Sequence, residues 1–175
     1  MMPPRGQELS MSDQQINGQD QEAASSLPMH VLAQYVKDLS FENPNAPQSL
    51  LPGQPQPQVN IGVDVQVQPM GEDVYEVVLK LHCEAKQAEA TAFLVEVAYG
   101  GLFQLPGLPQ EHHRPVLLIE APRMLFPFAR AIVAGCTQDG GFPPLMINPI
   151  DFVDLYRRQT AGQQTQAEET PQSPF

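Results

Sequence analysis

The sequence has few cysteines and few basic residues, and each shortage excludes a class of function. Its two cysteines, Cys83 and Cys136, are too few and too far apart for the disulfide framework of a small secreted domain, so we expect both to be reduced. Nine lysines and arginines stand against 20 aspartates and glutamates, which gives a formal net charge of −11. This excess of acid opposes binding to a phosphate backbone, so nucleic acid is not an expected partner.

Long hydrophobic runs are also missing. No window approaches the roughly 20 apolar residues of a membrane-spanning helix, and the N-terminus has no basic start followed by an apolar signal core. We therefore expect a cytoplasmic protein that does not insert directly into a membrane.

The motifs that hold common cofactors are absent too. The sequence contains no glycine-rich phosphate loop, no paired zinc-binding cysteines and no His-Glu-x-x-His motif, so we expect no cofactor and no metal site. His112 and His113 are adjacent, and adjacent residues do not share a helical face. Solvated histidines are therefore a better interpretation of this pair than metal ligands.

No catalytic group stands out. Cys83 and Cys136 occupy apolar faces of their segments, which indicates small core residues rather than nucleophiles. Asp73, Glu76 and Glu84 could be drawn as an acid/base set, but turns and wet strand faces normally carry carboxylates for solubility. The chain is therefore not expected to be an enzyme.

Composition divides the chain into three parts. Residues 1–26 are rich in Gln, Ser, Asp and Glu without hydrophobic periodicity, and residues 160–175 repeat this pattern with Gln, Thr, Glu and Pro. Both ends are predicted to be disordered. Residues 27–159 remain as a single folded domain, which is large enough to bury a core.

Period-two alternation predicts four strands in that domain. The clearest is the second, in which valines and an isoleucine alternate with polar residues. The predicted strands are Met29–Phe41, Val59–Gln68, Tyr75–Glu84 and Thr91–Tyr99. Short connections favour antiparallel pairing for the later strands, whereas the proline-rich connection Pro44–Gln58 is too long for a tight hairpin.

The spacing changes to three and four residues after the fourth strand. Leu125–Cys136 carries one apolar helical stripe, and Gly140-Gly141 is predicted to end that helix. A shorter helical segment is predicted over Pro109–Glu120, with Pro122 and Pro127 setting a break or kink between the two.

A last helix is predicted near the C-terminal end of the domain. Asn148 is the expected cap, and Pro149 is the expected first helical residue. Strands first and helices last indicate an α+β fold, with a four-stranded antiparallel sheet covered on one face by helices. Apolar residues on both faces of the third and fourth strands favour burial of the second face by another subunit; a helix folding back within the chain is the alternative.

The segment Tyr35–Pro47 joins an alternating strand to an abrupt proline turn. Alternation places Leu39 and Phe41 on one face of the strand and Asp38 and Glu42 on the other. The Cα atoms of the two carboxylates are then on the order of 13 Å apart, which is too far for a shared proton. This spacing suits contact with a partner better than catalysis.

Five sequence blocks follow one another along the folded domain. They are YVKDLSFENPNAP at Tyr35–Pro47, EDVYEVVLKL at Glu72–Leu81, TAFLVEVAYGGLF at Thr91–Phe103, APRMLFPFAR at Ala121–Arg130 and GGFPPLMINPIDF at Gly140–Phe152. In these blocks and in their order the chain closely resembles the bacterial protein-export chaperone SecB family. The resemblance implies a homotetramer, arranged as a dimer of dimers, without a cofactor. It also implies a holdase that keeps unfolded secretory precursors competent for translocation and delivers them to the motor SecA.

The resemblance further implies three sets of site residues. The SecA-docking surface corresponds to Asp38, Glu42, Leu94 and Glu96. Positions that affect subunit association in the family correspond to Val95, Val97 and Tyr99. Client grooves lie between the crossover connection and the C-terminal helix, where the corresponding residues are Phe152, Leu155 and Tyr156.

Two other functions are compatible with the residues. One is a chaperone of the same fold dedicated to a specific partner such as an antitoxin, and the other is a small oligomeric enzyme with an undetected carboxylate site. The acidic pair Asp38 and Glu42 favours export over both, because it belongs to the motor-docking surface that the resemblance implies.

Overall fold

The computed structural model describes residues 29–168. A four-stranded antiparallel sheet is followed by helices that pack on one of its faces, as the sequence predicts. The strands are β1 (His30–Glu42), β2 (Gln58–Gly71), β3 (Val74–Gln87) and β4 (Ala90–Gln104). The helices are α1 (Gln110–Pro115), α2 (Ala121–Asp139) and α3 (Phe152–Glu168), with a π-helical turn at Val116–Glu120 and a short 3-10 turn at Gln48–Leu50.

The order of strands across the sheet is β1-β4-β3-β2. Two tight turns connect the last three strands, and each contains one residue with positive φ, Asp73 at 55° and Ala88 at 52°. The long connection after β1 carries the chain across the sheet, so that β1 pairs with β4 rather than with β2. As a result β1 and β2 are the two sheet edges.

The core lies between one face of the sheet and α2. Alternate residues of β3 and β4 point to this face, and they pack beneath the apolar stripe predicted for the helix. The residues at the centre of this layer are almost fully buried; they are Val77, Leu79, Leu81, Cys83, Val95, Val97, Phe103, Leu125, Ala129 and Val133. The other face of the sheet, called the outward face below, carries no helix within the described residues.

The helical region is irregular close to Pro122, one of the two prolines predicted to set a break or kink. The chain stays helical from Gln110 to Asp139, so the prolines do not break it. The irregularity takes the form of a π-helical turn, in which the N–H of Ala121 donates to the carbonyl of Val116. Pro122 follows directly and has no N–H to donate, so widening the preceding turn accommodates it without ending the helix.

The end of α2 matches its prediction. Gly141 lies at φ 88°, the N–H of Phe142 donates to the carbonyl of Thr137 (3.0 Å), and the N–H of Gly141 donates to that of Gln138 (3.0 Å). This pattern is a Schellman motif, which satisfies the last helical carbonyls and turns the chain sharply. A glycine at position 141 is required because the left-handed region is open to it without steric cost.

The start of α3 differs from prediction. Asp151, rather than Asn148, caps this helix: its Oδ1 accepts from the N–H groups of Val153 (2.9 Å) and Asp154 (3.1 Å). The chain at Pro149 is not helical. Helix α3 then continues to Glu168, which includes the first residues of the predicted tail. The remaining predicted tail residues and residues 1–26 lie outside the described part of the chain.

An aromatic cluster joins β1 to the end of α2. Phe41 stacks on Phe93 with 6.3 Å between ring centroids, and Phe93 lies 4.9 Å from Phe142. A Cβ built on Gly140 would lie 2.1 Å from Cζ of Phe41, so the ring occupies the space that a side chain at this glycine would need. The aromatic cluster fixes the last turn of α2 against the strand that carries Asp38 and Glu42.

A second cluster, called the Glu76 clamp, ties β1 to β3 across β4 on the outward face. It consists of Tyr35, Lys37 and Glu76: the ammonium of Lys37 contacts both carboxylate oxygens (2.7 and 2.9 Å), and the hydroxyl of Tyr35 donates to the same carboxylate. The Tyr35 ring passes over Gly100, where a Cβ would lie only 2.8 Å from the ring. The side chain of Glu76 is 9% exposed, so its charge is compensated by these two partners rather than by water.

The clamp shifts the ionisation of both acids. The bonds from Lys37 and Tyr35 lower the pKa of Glu76 below its ordinary value. Burial, and then the bond and charge of Glu76, raise the pKa of Tyr35 to about 12. The carboxylate form of Glu76 and the neutral form of Tyr35 are therefore the species that stabilise the clamp.

Glu76→Gln is expected to lower the free energy of unfolding by about 2 kcal/mol at pH 7.5, because it leaves the Lys37 ammonium without its carboxylate. Since folding lowers the pKa of Glu76, its contribution is fully present above the ordinary glutamate pKa and is lost as the pH falls through the lowered value. Urea unfolding at several pH values should show the two proteins converging in acid. Glu72→Gln, an exposed carboxylate in the β2–β3 turn, is the matched control and should change little.

Gly140→Ala is expected to destabilise the protein by about 1–3 kcal/mol, because the new Cβ overlaps Phe41 in a filled space. Backbone strain is not the cause, since Gly140 has φ −73°. The control is Gly135→Ala within α2, where a Cβ meets nothing within 4 Å and replacement should stabilise by up to about 1 kcal/mol. Equal effects of the two substitutions in thermal unfolding would contradict this explanation.

Candidate docking surface and client groove

The register of the sheet brings the four predicted docking residues onto the outward face. Directly opposed residues in antiparallel strands have side chains on the same face. Glu42 of β1 is opposite Leu94 of β4, and Ser40 is opposite Glu96. Asp38 is opposite Ala98, which is two residues from Glu96 on the same face. Asp38, Glu42, Leu94 and Glu96 therefore form one continuous area, called the docking surface below.

A β-bulge in β1 supports this placement. The register shifts between Val36 and Asp38, so that Lys37 is an extra residue without a direct partner on β4. Tyr35, Lys37 and Asp38 consequently share the outward face, although strict alternation predicts that Asp38 opposes the other two. The Glu76 clamp is therefore directly beside the docking surface.

The docking surface is charged and open to solvent. Asp38 and Glu42 are exposed, and the side chain of Glu96 is 55% exposed. Nδ1 of His82 on β3 lies 2.9 Å from the Glu96 carboxylate, and Lys86 lies 3.3 Å from Glu84. Small residues, Gly62 and Ala98, leave a shallow depression between the charged side chains. Such a face offers carboxylates to a basic partner without a deep pocket.

The predicted association residues lie on the opposite face, inside the protomer. Val95 and Val97 are 0% and 2% exposed beneath α2, and Tyr99 is 9% exposed. The Tyr99 ring stacks on Phe128 of α2 with 5.9 Å between centroids. Within the protomer, Val95 and Val97 therefore present almost no surface to another subunit, and Tyr99 presents little. The bulky Tyr99 is accommodated because α2 provides a flat aromatic partner.

The three predicted client-groove residues of α3 do not share one environment. Phe152 is 1% exposed and packs edge to face on Phe126, with 6.2 Å between centroids, so it is a core residue rather than a groove surface. Leu155 and Tyr156 are half-buried. The periodicity of the sequence could not separate these positions, because it does not show how closely α3 approaches α2.

A concave apolar groove lies at the β2 edge of the core face, where α2 does not cover the sheet. Its volume is about 680 Å³, within the roughly 300–1,000 Å³ of ordinary ligand pockets. The residues that line it include Val65, Val67, Tyr75, His113, Leu117, Leu118 and Gln159. The sequence prediction did not include β2 in the groove. The sequence did contain a signal for it: the apolar face of β2 adds to the sheet area that must be covered, and the single apolar stripe predicted for Leu125–Cys136 is too short to cover all of it.

His113 is part of the groove wall, which corrects its prediction as a solvated residue. The side chain is 5% exposed; its Nε2 lies 2.6 Å from the carbonyl of Leu108, and its Nδ1 lies 2.9 Å from the hydroxyl of Tyr75. The carbonyl can only accept, so Nε2 carries the hydrogen and Nδ1 accepts from Tyr75. Both polar groups are satisfied, and the groove presents mainly apolar surface. His112 is exposed, as predicted.

Neither cysteine is activated for chemistry. Burial raises the pKa of Cys83 to about 11, and burial together with the charge of Asp139 raises the pKa of Cys136. A thiolate nucleophile needs the opposite shift. Among residues 29–168 there is no group of three or more His, Cys, Asp or Glu side chains placed to hold a metal ion. No helix in that range is long and apolar enough to span a membrane.

The fold is shared with a solved chaperone structure. The SecB-like chaperone of Mycobacterium tuberculosis, solved in complex with a ChAD peptide from the HigA1 antitoxin, matches with a TM-score of 0.55 and 16% identity. The match covers 70% of this chain and 90% of that one. At this identity the likeness shows the fold alone.

Sequence comparisons are more specific. Residues 20–163 match the family model described as preprotein translocase subunit SecB. The protein-export protein SecB of Rhodospirillum centenum is 57% identical over 85% of this chain and 89% of its own length. The protein of the same description from Bradyrhizobium sp. is 54% identical over 86% and 95% of the two chains. The chain therefore belongs to the SecB family of protein-export chaperones.

Proposed function

We propose that this export chaperone works as a dimer of dimers that holds unfolded secretory precursors in apolar grooves and delivers them to SecA through its docking surface. The observation that carries the proposal is the convergence of Asp38, Glu42, Leu94 and Glu96 on one exposed sheet face. The family is one of chaperones rather than enzymes, and we infer holding without catalytic turnover.

The charge of the docking surface supports contact with a basic partner. Its carboxylates are carried by the two adjacent strands β1 and β4, and Leu94 adds an apolar residue opposite Glu42. Complementary charge raises the rate of encounter and disfavours acidic partners, while a few partly apolar contacts slow dissociation. A flat, rigid strand surface also keeps its geometry when a partner binds.

Self-association is supported by the uncovered edge strand β1. Helix α2 covers mainly β3 and β4, which leaves Val36 and Leu39 of the core-facing side 47% and 43% exposed. Gln34 precedes these two residues in β1, and its Oε1 is buried without a hydrogen-bond partner. A second copy would cover the apolar side chains and the free backbone edge, as exposed edge strands require.

An exposed aromatic residue of α2, Phe128, also supports self-association. Phe128 is 49% exposed although it stacks on Tyr99. We infer that Val95, Val97 and Tyr99 affect association through the position of α2, since they are covered by the helix that carries Phe128. The outward-face apolar residue Val78 needs no second subunit, because it is 5% exposed beside the Glu76 clamp.

The groove supports holding of unfolded segments. A groove whose lining is more apolar than polar accepts many side chains, which a chaperone for diverse clients requires. Several grooves on one assembly bind linked segments of the same chain, and linkage raises avidity by about 10²–10⁴-fold. Binding of the unfolded chain removes it from the folding equilibrium, so folding is delayed while the client stays bound.

A chaperone dedicated to an antitoxin is not favoured. The relative solved with an antitoxin peptide is 16% identical, whereas relatives described as protein-export proteins are 50–57% identical over most of the chain.

Refolding of a slow-folding secretory precursor is expected to be delayed when the chaperone is in excess, and native mass spectrometry should show an assembly of four 19.3 kDa chains. Leu118→Glu, which places a charge in the groove, should shorten the delay. Met146→Glu changes an exposed residue outside the groove and is the control. Unchanged refolding with wild-type chaperone in excess would refute the holding function.

Asp38→Ala combined with Glu42→Ala is expected to weaken binding to immobilised SecA by at least about tenfold, because two charged contacts are lost. The matched control is Glu72→Ala with Glu111→Ala, which removes the same charge away from the docking surface. Equal losses in the two double variants would show that net charge alone governs binding. The refolding delay should be the same in both, since neither pair lines the groove.

A further inference from the structure

The docking surface contains one basic side chain hydrogen-bonded to a proposed docking carboxylate. His82 of β3 is directly opposite Glu96 of β4, and its Nδ1 lies 2.9 Å from Oε1 of Glu96. The two side chains are 50% and 55% exposed, so a partner that covers the surface would cover the pair as well. None of the proposed docking contacts accounts for this histidine.

The carboxylate partner fixes the tautomer of His82. An ionised carboxylate only accepts hydrogen bonds, so Nδ1 must carry the hydrogen and Nε2 is the free acceptor in the neutral ring. Protonation therefore takes place at Nε2 and leaves the bond to Glu96 unbroken. The His82–Glu96 pair changes from a net negative charge to a neutral ion pair without moving either side chain.

The surroundings make that change of charge significant. Carboxylates predominate on the outward face around His82, both on its own strand and on the other three strands. They are Glu84 on β3, Glu96 on β4, Asp64 on β2, and Asp38 and Glu42 on β1. Lys80 on β3 is the nearest fixed positive charge along the strand, with Lys86 beside Glu84. A further positive charge at the centre of this face would repel the basic side chains of a partner.

We propose that His82 is a positioning residue for Glu96 and makes docking sensitive to pH. The neutral ring orients the Glu96 carboxylate and leaves its charge available to the partner. The protonated ring retains the orientation but cancels the charge, so the docking surface binds a basic partner more weakly in mild acid. This inference rests on the proposed SecA-docking function. Histidine is suited to the task because it is the side chain whose charge ordinarily changes between pH 5 and 8.

Two substitutions separate orientation from charge. His82→Asn places an amide nitrogen where Nδ1 lies, so it can donate to Glu96 but cannot be protonated. His82→Lys carries a fixed positive charge next to the same carboxylate. Both change an exposed position on the strand, and circular dichroism with thermal unfolding would verify that each variant folds like the wild type.

The test is the affinity of the full-length chaperone for immobilised SecA at pH 7.5 and 5.5. Wild-type affinity should fall about fivefold more than that of His82→Asn, a size typical of one charge at the edge of an interface. Because SecA is the same in both measurements, its own titration cancels in the ratio. His82→Lys should bind weakly at both pH values. In the free protein, nitrogen NMR of the His82 ring should show hydrogen on Nδ1 in the neutral form.

Equal pH profiles for wild type and His82→Asn would overturn the inference, as would hydrogen on Nε2 in the neutral ring. Failure of the wild type to bind SecA at either pH would instead refute the docking function on which the inference rests. The two failures are distinguishable, because the first retains strong binding at pH 7.5.

Discussion

The antiparallel register that holds β4 between β1 and β3 is the constraint on which both surfaces of this protein depend. Successive residues of β4 alternate between the core, where Val95 and Val97 pack under α2, and the outward face, where Leu94 and Glu96 meet solvent. A slip of one residue would exchange these sets and bury a glutamate. Packing of the core therefore fixes the arrangement of the docking surface, although no docking residue belongs to that core.

The Glu76 clamp extends this control to the sheet edge. An edge strand is held by backbone bonds on one side alone, and β1 has only limited contact with α2. The clamp adds side-chain bonds that cross β4 at Gly100, where the absence of a side chain leaves room for the Tyr35 ring. A buried carboxylate is costly when unpaired, so its bonds to Tyr35 and Lys37 also oppose local opening of the edge.

Local patterns predicted the features that depend on neighbours in sequence. The alternating valines of β2, the apolar stripe of α2 and the end of α2 at Gly140-Gly141 follow from side-chain period and backbone freedom. The common face of Asp38 and Glu42 was predictable for the same reason. Their neighbours across the sheet came from the family resemblance, because strand order and register are not encoded within one strand.

Features that depend on tertiary packing were not predictable in this way. Phe152 and Leu155 belong to the same helical pattern, yet only the contact with Phe126 makes the former a core residue. His113 can be buried because the hydroxyl of Tyr75 and the carbonyl of Leu108 satisfy both its ring nitrogens. No local sequence pattern indicates either contact. The cap at Asp151 was missed because Asn148-Pro149 is an equally good local start signal.

The bulge at Lys37 has a consequence for how such a surface can evolve. Because the extra residue is absorbed at one point of β1, Val36 and Asp38 occupy the faces that they would have in a regular strand without it. A single inserted codon can thus add a cation to a sheet face while every flanking side chain keeps its environment. In this strand, an insertion of one residue can therefore create a new charge pair. The neighbouring residues need no compensating substitutions, which a slip of the whole register would require.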